Sequence, residues 1–281
     1  MQPKAAAIQF LMFIVFRSPN LRRAMGSLVL GKHEEAELPG MLQFGDMNPP
    51  LHSVLLLLAG MALVLLGCQR HPEAEHVSLD LRYLALGDSY TIGESVADGA
   101  RWPQQLVDSL NRRLQGGPLL SPATIVATTG WTTADLDAGM DASQVDTATW
   151  DLVSLLIGVN NQYQGLPLAD YEDEFAGLLA RAVSLTGGRP ERVFVVSIPD
   201  YAYTPFGQSN QEAISSDLAT FNATCLAETQ ALGVAHMDIT PISQQWPDLA
   251  GLVASDGLHP SALQYALWVE HFVEEVAFQI Q

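Results

Sequence analysis

The sequence predicts an α/β fold in which helices cover both faces of a mostly parallel sheet. Two observations lead to this prediction. From residue 80 onward, short apolar runs alternate with longer stretches in which apolar residues recur every three or four positions. The apolar runs are also nearly continuous, which indicates strands that are buried on both faces. Alternation of such strands with helices is typical of a parallel sheet with right-handed crossovers.

Five apolar runs have the length and composition of strands, at residues 81–86, 124–128, 152–157, 192–198 and 234–238. Five intervening or closing stretches have helical spacing, at residues 102–114, 133–140, 169–185, 215–232 and 261–280. Residues 199–210, PDYAYTPFGQSN, read as a loop after the fourth strand. This loop fits either a lid or rim over a site or a plain connector. In a sheet of this kind, functional side chains gather outside the carboxyl ends of the strands.

The amino-acid composition indicates a folded domain and narrows the classes of function that the protein can have. The chain has 281 residues, 48% of them hydrophobic, which is enough apolar material for a packed core. Its net charge of −18 argues against a nucleic-acid partner, since such proteins cluster Lys and Arg against phosphates. The two cysteines cannot form a disulfide framework, and Cys225 lies in a helical pattern where it is expected to fill the core.

The N-terminal third has a different character and predicts a targeting segment. Residues 54–66 form an uncharged apolar run that is shorter than a spanning helix requires and is typical of a secretory signal. It ends in Leu65-Leu66-Gly67-Cys68, which resembles the bacterial lipobox, in which the cysteine is lipid-modified and becomes the new N-terminus. An uncleaved membrane anchor or a buried helix remains an alternative.

We therefore divide the chain into three parts. Residues 1–67 form an extension and signal peptide whose true start stays open, with Met41 and Met47 as alternatives; residues 68–79 form a tether; and residues 80–281 form the folded domain. The lipobox resemblance implies a protein anchored in the cell envelope through Cys68. Gln69 after that cysteine resembles the pattern that directs lipoproteins to the outer membrane of Gram-negative bacteria.

Polar and glycine residues follow the predicted strands in a characteristic order. Gly87-Asp88-Ser89 follows the first strand, Gly130 the second and Asn160-Asn161 the third, and Asp256-Gly257-Leu258-His259-Pro260 precedes the last helix. Together these segments resemble the SGNH hydrolase superfamily, also called GDSL esterases and lipases, over about residues 83–268. The resemblance implies a three-layer α/β/α, flavodoxin-like fold with a five-stranded sheet. LALGDSYTIGE and DGLHP are its most specific segments.

The resemblance also implies a catalytic triad. A serine hydroxyl is a weak nucleophile at neutral pH and needs a base, which in turn needs a partner that fixes its orientation. Ser89 would attack the carbonyl carbon, His259 would take and return the proton, and Asp256 would hold the far ring nitrogen of His259. A spacing of three residues allows both side chains to point the same way if Gly257 supplies the turn.

An oxyanion hole is implied by the same comparison. Its donors would be the backbone N–H groups of Ser89 and Gly130 and the side-chain amide of Asn160, aimed at the charge that develops in the tetrahedral intermediate. Many relatives have Asp at the following position, where this chain has Asn161. That departure concerns the positioning of the loop.

Substrate contacts are expected from four residues that flank these groups, Tyr90, Trp131, Asn161 and Tyr163. Core packing would explain the aromatic ones equally well. Neither a metal nor an organic cofactor is implied, and the chain has no G-x-S-x-G elbow, P-loop or H-E-x-x-H motif.

The resemblance thus implies a serine esterase that cleaves carboxylic esters. Because no extended apolar groove is visible in the sequence, we favour short acyl groups, such as acetyl groups on envelope carbohydrate. Three alternatives stay open: a lysophospholipase or thioesterase, an acyltransferase, and a non-catalytic lipoprotein that uses the same fold to bind glycan. The oligomeric state cannot be read from the sequence.

Overall fold

A computed structural model describes residues 80–114 and 117–280 of the chain. The strands are β1 (Tyr83–Gly87), β2 (Thr124–Ala127), β3 (Leu152–Leu156), β4 (Val193–Val196) and β5 (Ala235–Met237). They form a sheet in the order β2-β1-β3-β4-β5, and all four neighbouring pairs are parallel. This is the flavodoxin-like strand order. The predicted fold class is therefore confirmed, with a sheet that is parallel throughout.

The helices are α1 (Ser89–Ile92), α2 (Trp102–Arg113), α3 (Thr133–Ala142), α4 (Val159–Tyr163), α5 (Leu168–Leu185), α6 (Gln211–Leu232), α7 (Thr240–Ser243) and α8 (Ala262–Gln279). Helix α2 packs against α8, whereas α5 packs against α3 and α6. These two groups flank the sheet. Within residues 80–114 and 117–280, no helix combines the length and apolar character that a bilayer crossing would need.

The core lies along the central strands. Every residue of β1, β3 and β4 is buried, as expected for strands covered by helices on both faces. Trp102 and Phe272 meet edge to face beneath the sheet, with ring centroids 6.0 Å apart, and Phe194 packs against both. Cys225 is a buried free thiol. The rigid central strands hold their carboxyl ends, and the loops that follow them, in fixed positions.

Candidate active site

The carboxyl end of β1 leads directly into a short helix that begins at Ser89. The side chain of Asp88 caps this helix by accepting the N–H of Tyr90 at 3.0 Å. A side chain at Gly87 would come within 2.4 Å of the carbonyl oxygen of Leu156 on β3, so only glycine lets the turn pack this closely. Ser89 lies at the first position of α1, where a backbone N–H has no acceptor within the helix.

Asp88 itself is fully buried behind the turn. Burial raises the pKa of its carboxyl group to about 7, and the hydrogen bond from the Tyr90 N–H opposes part of that rise. Its second oxygen, Oδ2, finds no hydrogen-bond partner among the described residues. Asp88 therefore acts on Ser89 through the helix cap and does not face the cavity described below.

The segment before α8 brings a histidine and a carboxylate together. Nδ1 of His259 lies 2.6 Å from Oδ2 of Asp256, and Oδ1 of Asp256 accepts the backbone N–H groups of Leu258 at 2.9 Å and His259 at 3.0 Å. Gly257 has φ of 76°, a left-handed conformation that suits glycine. The turn thus holds both side chains on one side, as the spacing predicts.

A serine that the sequence analysis did not single out completes the surroundings of Asp256. The hydroxyl of Ser95 donates to Oδ2 of Asp256 at 2.7 Å. Burial alone would raise the pKa of Asp256, but the hydrogen bonds from Ser95, Leu258 and His259 together outweigh it and hold that pKa well below its usual range. Asp256 therefore stays ionised beside the imidazole. Ser95 and Asp256 are 161 positions apart, and no local motif links them.

Ser89 and His259 face a common cavity of about 230 Å³. Gly130 and Asn160 line the same cavity, so the structure brings together the residues that the sequence assigns to the nucleophile, the base and the oxyanion hole. The other lining residues are Tyr90, Thr129, Val159, Tyr163, Tyr201, Phe206 and Leu258. Of these, only Tyr90 and Tyr163 are among the predicted substrate contacts.

Gly130 and Asn160 approach the cavity from the segments that follow β2 and β3. Gly130 follows β2 with φ of 89°, and a side chain built there would meet nothing within 4 Å, so its backbone is open to a ligand. Asn160 lies in the first turn of α4 and donates one amide N–H to the carbonyl oxygen of Trp131 at 2.9 Å. Because the amide carries two N–H groups, the second can serve a ligand.

The four predicted substrate contacts are placed differently. Tyr90 is buried beneath the cavity, with its ring edge to face with that of His259 at 5.8 Å between centroids. Tyr163 is 60% exposed at the cavity edge. Trp131 does not line the cavity: its indole packs on Gly139 of α3, where an added Cβ would lie 2.2 Å from the ring.

Asn161 also lies behind the cavity and not at its surface. Its side chain is fully buried, accepts the N–H of Thr133 at 3.1 Å and donates to the Thr133 hydroxyl at 2.6 Å. Both ends of the amide are therefore engaged with the start of α3. We expected Asn161 to contact the substrate, but in the structure its side chain supports the start of α3 instead. Cys68, the expected lipidation site, lies outside the described residues.

The loop after β4 supplies two lining residues that the sequence analysis did not name. Tyr201 and Phe206 reach the cavity, so the segment 199–210 forms a rim and is not a plain connector. The N–H of Phe206 donates to the carbonyl oxygen of Gly257 at 3.0 Å, which joins the rim to the histidine turn. The aromatic residues of PDYAYTPFGQSN are the signal that could have identified it.

Comparisons with known proteins find a matching family model and similar folds. A family model described as the GDSL-like lipase/acylhydrolase family matches residues 85–267. A comparison with curated proteins finds no match. Among solved structures, TesA is 17% identical with a TM-score of 0.53 over 69% of this chain and 97% of that chain.

Two further solved structures are similar to a comparable degree. The lipase/acylhydrolase from Enterococcus faecalis is 19% identical, with a TM-score of 0.53 over 72% of this chain and 97% of its own. The acetylxylan esterase Axe2 from Geobacillus stearothermophilus is 16% identical, with a TM-score of 0.54 over 71% of this chain and 96% of its own. At these identities the similarity concerns the fold.

Proposed function

Since this chain belongs to the GDSL-like lipase/acylhydrolase family, we propose that it is a serine esterase that hydrolyses carboxylic esters of short acyl groups. One observation carries the proposal: Ser89 and His259 line the same cavity, and the imidazole of His259 is held by Asp256 at 2.6 Å. A hydroxyl, a base and an orienting carboxylate in this arrangement are the components of nucleophilic acyl transfer.

In the first half of the reaction, Oγ of Ser89 attacks the carbonyl carbon of the ester. His259 takes the hydroxyl proton as the new C–O bond forms, and the carbonyl π electrons move onto oxygen. Asp256 keeps the imidazole oriented through Nδ1, so that Nε2 accepts the proton. The tetrahedral intermediate then collapses, the bond to the alcohol breaks, and His259 returns the proton to the leaving oxygen. An acyl group remains on Ser89.

In the second half, water replaces the alcohol. The water oxygen attacks the acyl carbon while His259 takes a proton from the water. When the second tetrahedral intermediate collapses, that proton returns to Oγ of Ser89. The products are a carboxylic acid and the free enzyme. We assign the N–H groups of Ser89 and Gly130 and the free N–H of the Asn160 amide to the oxyanion, where each such donor is worth about 100- to 1000-fold in rate.

The size of the cavity supports a short acyl group. Its volume of about 230 Å³ is below the range of about 300–1,000 Å³ that is typical of pockets for drug-sized ligands. Tyr90, Val159 and Leu258 give it apolar walls that suit a small hydrocarbon group. An acetyl ester of a carbohydrate fits these dimensions, and the similar fold of an acetylxylan esterase is consistent with that choice.

Hydrolysis of p-nitrophenyl esters from acetate to palmitate, by wild type and Ser89→Ala, tests the proposal. We expect the highest kcat/KM for acetate or butyrate and a loss of at least about 1000-fold in Ser89→Ala. Ser143→Ala, an exposed serine at the end of α3, is the matched control and should retain activity. Highest activity on palmitate would instead indicate a lipid-directed hydrolase. Equal, negligible rates in folded wild type and Ser89→Ala would contradict esterase activity.

A further inference from the structure

A second cavity lies beside the first and shares three aromatic residues with it. We call Tyr163, Tyr201 and Phe206 the aromatic cluster, because their ring centroids are 6.1–6.4 Å apart in each pair. All three line both the cavity of Ser89 and a neighbouring cavity of about 370 Å³. Tyr201 is buried, whereas Tyr163 is 60% and Phe206 50% exposed. A ligand on the exposed rings would therefore lie next to the nucleophile.

The second cavity differs from the first in its chemistry. Apart from the aromatic cluster, its lining is mainly polar: Gln162, Ser209, Asn210 and Asp217, with Gly207 and Ile214. Gln162 donates to Oδ2 of Asp217 at 3.4 Å, a long hydrogen bond that leaves most of the acceptor capacity of this exposed carboxylate available. An apolar aromatic surface, whose rings are tilted against one another, thus adjoins groups that can both donate and accept hydrogen bonds.

Hydrogen bonds and close packing hold Tyr201 and the backbone of Phe206 in place before any ligand arrives. The hydroxyl of Tyr201 donates to Oε1 of Gln162 at 2.9 Å, and the N–H of Phe206 donates to the carbonyl oxygen of Gly257 at 3.0 Å. Gly207 packs so closely on the backbone of Tyr201 that a Cβ would lie 2.1 Å from its carbonyl oxygen. This part of the surface therefore loses little conformational entropy on binding.

Two ligand classes fit this second cavity poorly. A hydrocarbon chain would cover Gln162, Asn210 and Asp217 without offering hydrogen bonds, which is costly for polar groups. A phosphate headgroup would meet the carboxylate of Asp217. No lysine or arginine from residues 80–114 or 117–280 lines either cavity to compensate.

We propose that the second cavity binds a neutral, polyhydroxylated ring, a saccharide unit that carries the ester cleaved at Ser89. Its C–H face packs on the exposed rings of Tyr163 and Phe206, and its hydroxyl groups bond with Gln162, Asn210 and Asp217. The proposal rests on the esterase function proposed above and specifies the alcohol part of its substrate. The acyl group occupies the smaller cavity, and the alcohol extends over the aromatic cluster.

A cationic alcohol such as choline is the closest competitor, because aromatic faces and a carboxylate also attract quaternary ammonium groups. Two features favour the saccharide. The rings of the aromatic cluster contact one another and do not enclose a space between them. The amides of Gln162 and Asn210 have suitable partners in hydroxyl groups and none in a quaternary ammonium group.

The test compares three acetate esters: an acetylated xylo-oligosaccharide, acetylcholine and p-nitrophenyl acetate. Wild type, Phe206→Ala and Asp217→Ala are assayed with each. We expect both substitutions to lower kcat/KM for the saccharide ester, relative to p-nitrophenyl acetate, on the order of tenfold. Phe278→Ala removes an aromatic ring that is 80% exposed on α8, away from both cavities, and should leave that ratio unchanged.

Direct binding separates failure of this proposal from failure of the esterase function. Calorimetric titration of Ser89→Ala with the acetylated oligosaccharide should give binding that Phe206→Ala, in the same Ser89→Ala background, weakens on the order of tenfold. If the oligosaccharide binds but wild type does not hydrolyse it, the esterase function is contradicted and the saccharide site is supported. A preference for acetylcholine, or equal losses on all three esters in both variants, would overturn the saccharide site.

Discussion

Ser95 shows how a single residue outside the predicted triad can fix the geometry of a site. It adopts φ of 65°, a left-handed conformation that is unfavourable for a residue other than glycine, asparagine or aspartate. In that conformation its hydroxyl reaches Asp256 at 2.7 Å. The backbone strain is offset by a hydrogen bond to a charged carboxylate, which is stronger than one between neutral groups. We interpret Ser95 as a positioning residue that acts through Asp256.

Removal of this hydroxyl should impair catalysis more than substrate binding. In Ser95→Ala, Asp256 loses a donor and holds His259 less firmly, so we expect kcat for p-nitrophenyl acetate to fall on the order of tenfold with little change in KM. Ser95→Gly is the matched comparison, because it also lacks the hydroxyl but relieves the backbone strain. If Ser95→Gly keeps wild-type kcat, the hydroxyl has no positioning role.

Ser95→Ala should also lose stability in a pH-dependent way. The native pKa of Asp256 is depressed, so this carboxylate stabilises the fold at pH values above its unfolded pKa of about 4, and the contribution fades as the pH falls towards the native pKa. Ser95→Ala brings the native pKa closer to its ordinary value. Urea unfolding should therefore show a deficit at pH 7 that shrinks below about pH 4, and a deficit independent of pH would contradict this origin.

Site residues were predictable where a short motif carries them. Ser89, in the segment after β1, and the pair Asp256 and His259, in the segment before α8, were assigned because these short segments resemble motifs of the SGNH hydrolases. Ser95 and Phe206 reach the site only through tertiary contacts, so no spacing along the chain identifies them. Asn161 follows Asn160 in a helix, where successive side chains diverge by about 100°, and one therefore faces the cavity while the other faces the interior.

At the scale of elements, Asn161 links three helices. Its amide, in α4, accepts from and donates to Thr133 at the start of α3, and the Thr133 hydroxyl in turn donates to Glu174 of α5. The hydrogen bonds run in one direction, from a donor at position 161 through Thr133 to Glu174, and an ionised carboxylate at position 161 could not begin them. The amide donor of Asn161 therefore complements the carboxylate acceptor of Glu174. Together they hold α4, which carries the candidate oxyanion-hole residue Asn160.

Asn161→Asp, which restores the residue that many relatives have, should therefore destabilise this chain. The Thr133 hydroxyl can donate to one carboxylate only, so a buried oxygen would lose its donor, at about 1–3 kcal/mol in the free energy of unfolding at pH 7. Protonation of the new carboxyl restores a donor, so the loss should be smaller at pH 4.5. Urea unfolding measures both values, with the exposed Asn210→Asp as the control; an unaltered midpoint at pH 7 would exclude the proposed link.

Elements with a clear apolar pattern were predicted with nearly correct ends. In a long helix the period repeats over several turns, and in a buried strand the apolar run is continuous. The fifth predicted helix, residues 261–280, is observed as Ala262–Gln279, and the strand predicted at residues 152–157 is Leu152–Leu156. The helix predicted from residue 215 begins at Gln211, since its first turn is exposed apart from Ile214 and carries little apolar pattern. The short helices α1, α4 and α7 are absent from the prediction because four or five residues show no periodicity.

For the whole molecule, the lipobox-like segment and the difference in charge between the two sides of it lead to a proposal for where the protein resides. Residues 1–67 carry a net charge of +1 and residues 68–281 a net charge of −19, and the lipobox-like segment lies at the boundary. We propose that the chain is cleaved before Cys68, lipidated there and held at the envelope membrane, with the negative domain in water. A single acyl chain gives only reversible anchoring, so several chains on Cys68 would be required for stable attachment.

Mass spectrometry of the protein purified from a Gram-negative host tests this proposal. We expect the mature N-terminus at Cys68 with the mass of attached acyl chains, and partition into the detergent phase. Cys68→Ala should keep the upstream residues and gain no lipid mass. Mature wild-type protein that begins elsewhere, or that carries an unmodified Cys68, would refute lipidation.

The proposed nucleophile and the proposed base come from opposite ends of the folded domain. Ser89 follows β1 and His259 precedes α8, and the packing of α2 against α8 brings these regions together. By the proposed mechanism, a nascent chain that still lacks its last segment holds Ser89 without a base. The proposed hydrolysis therefore requires that the whole domain has been made and folded.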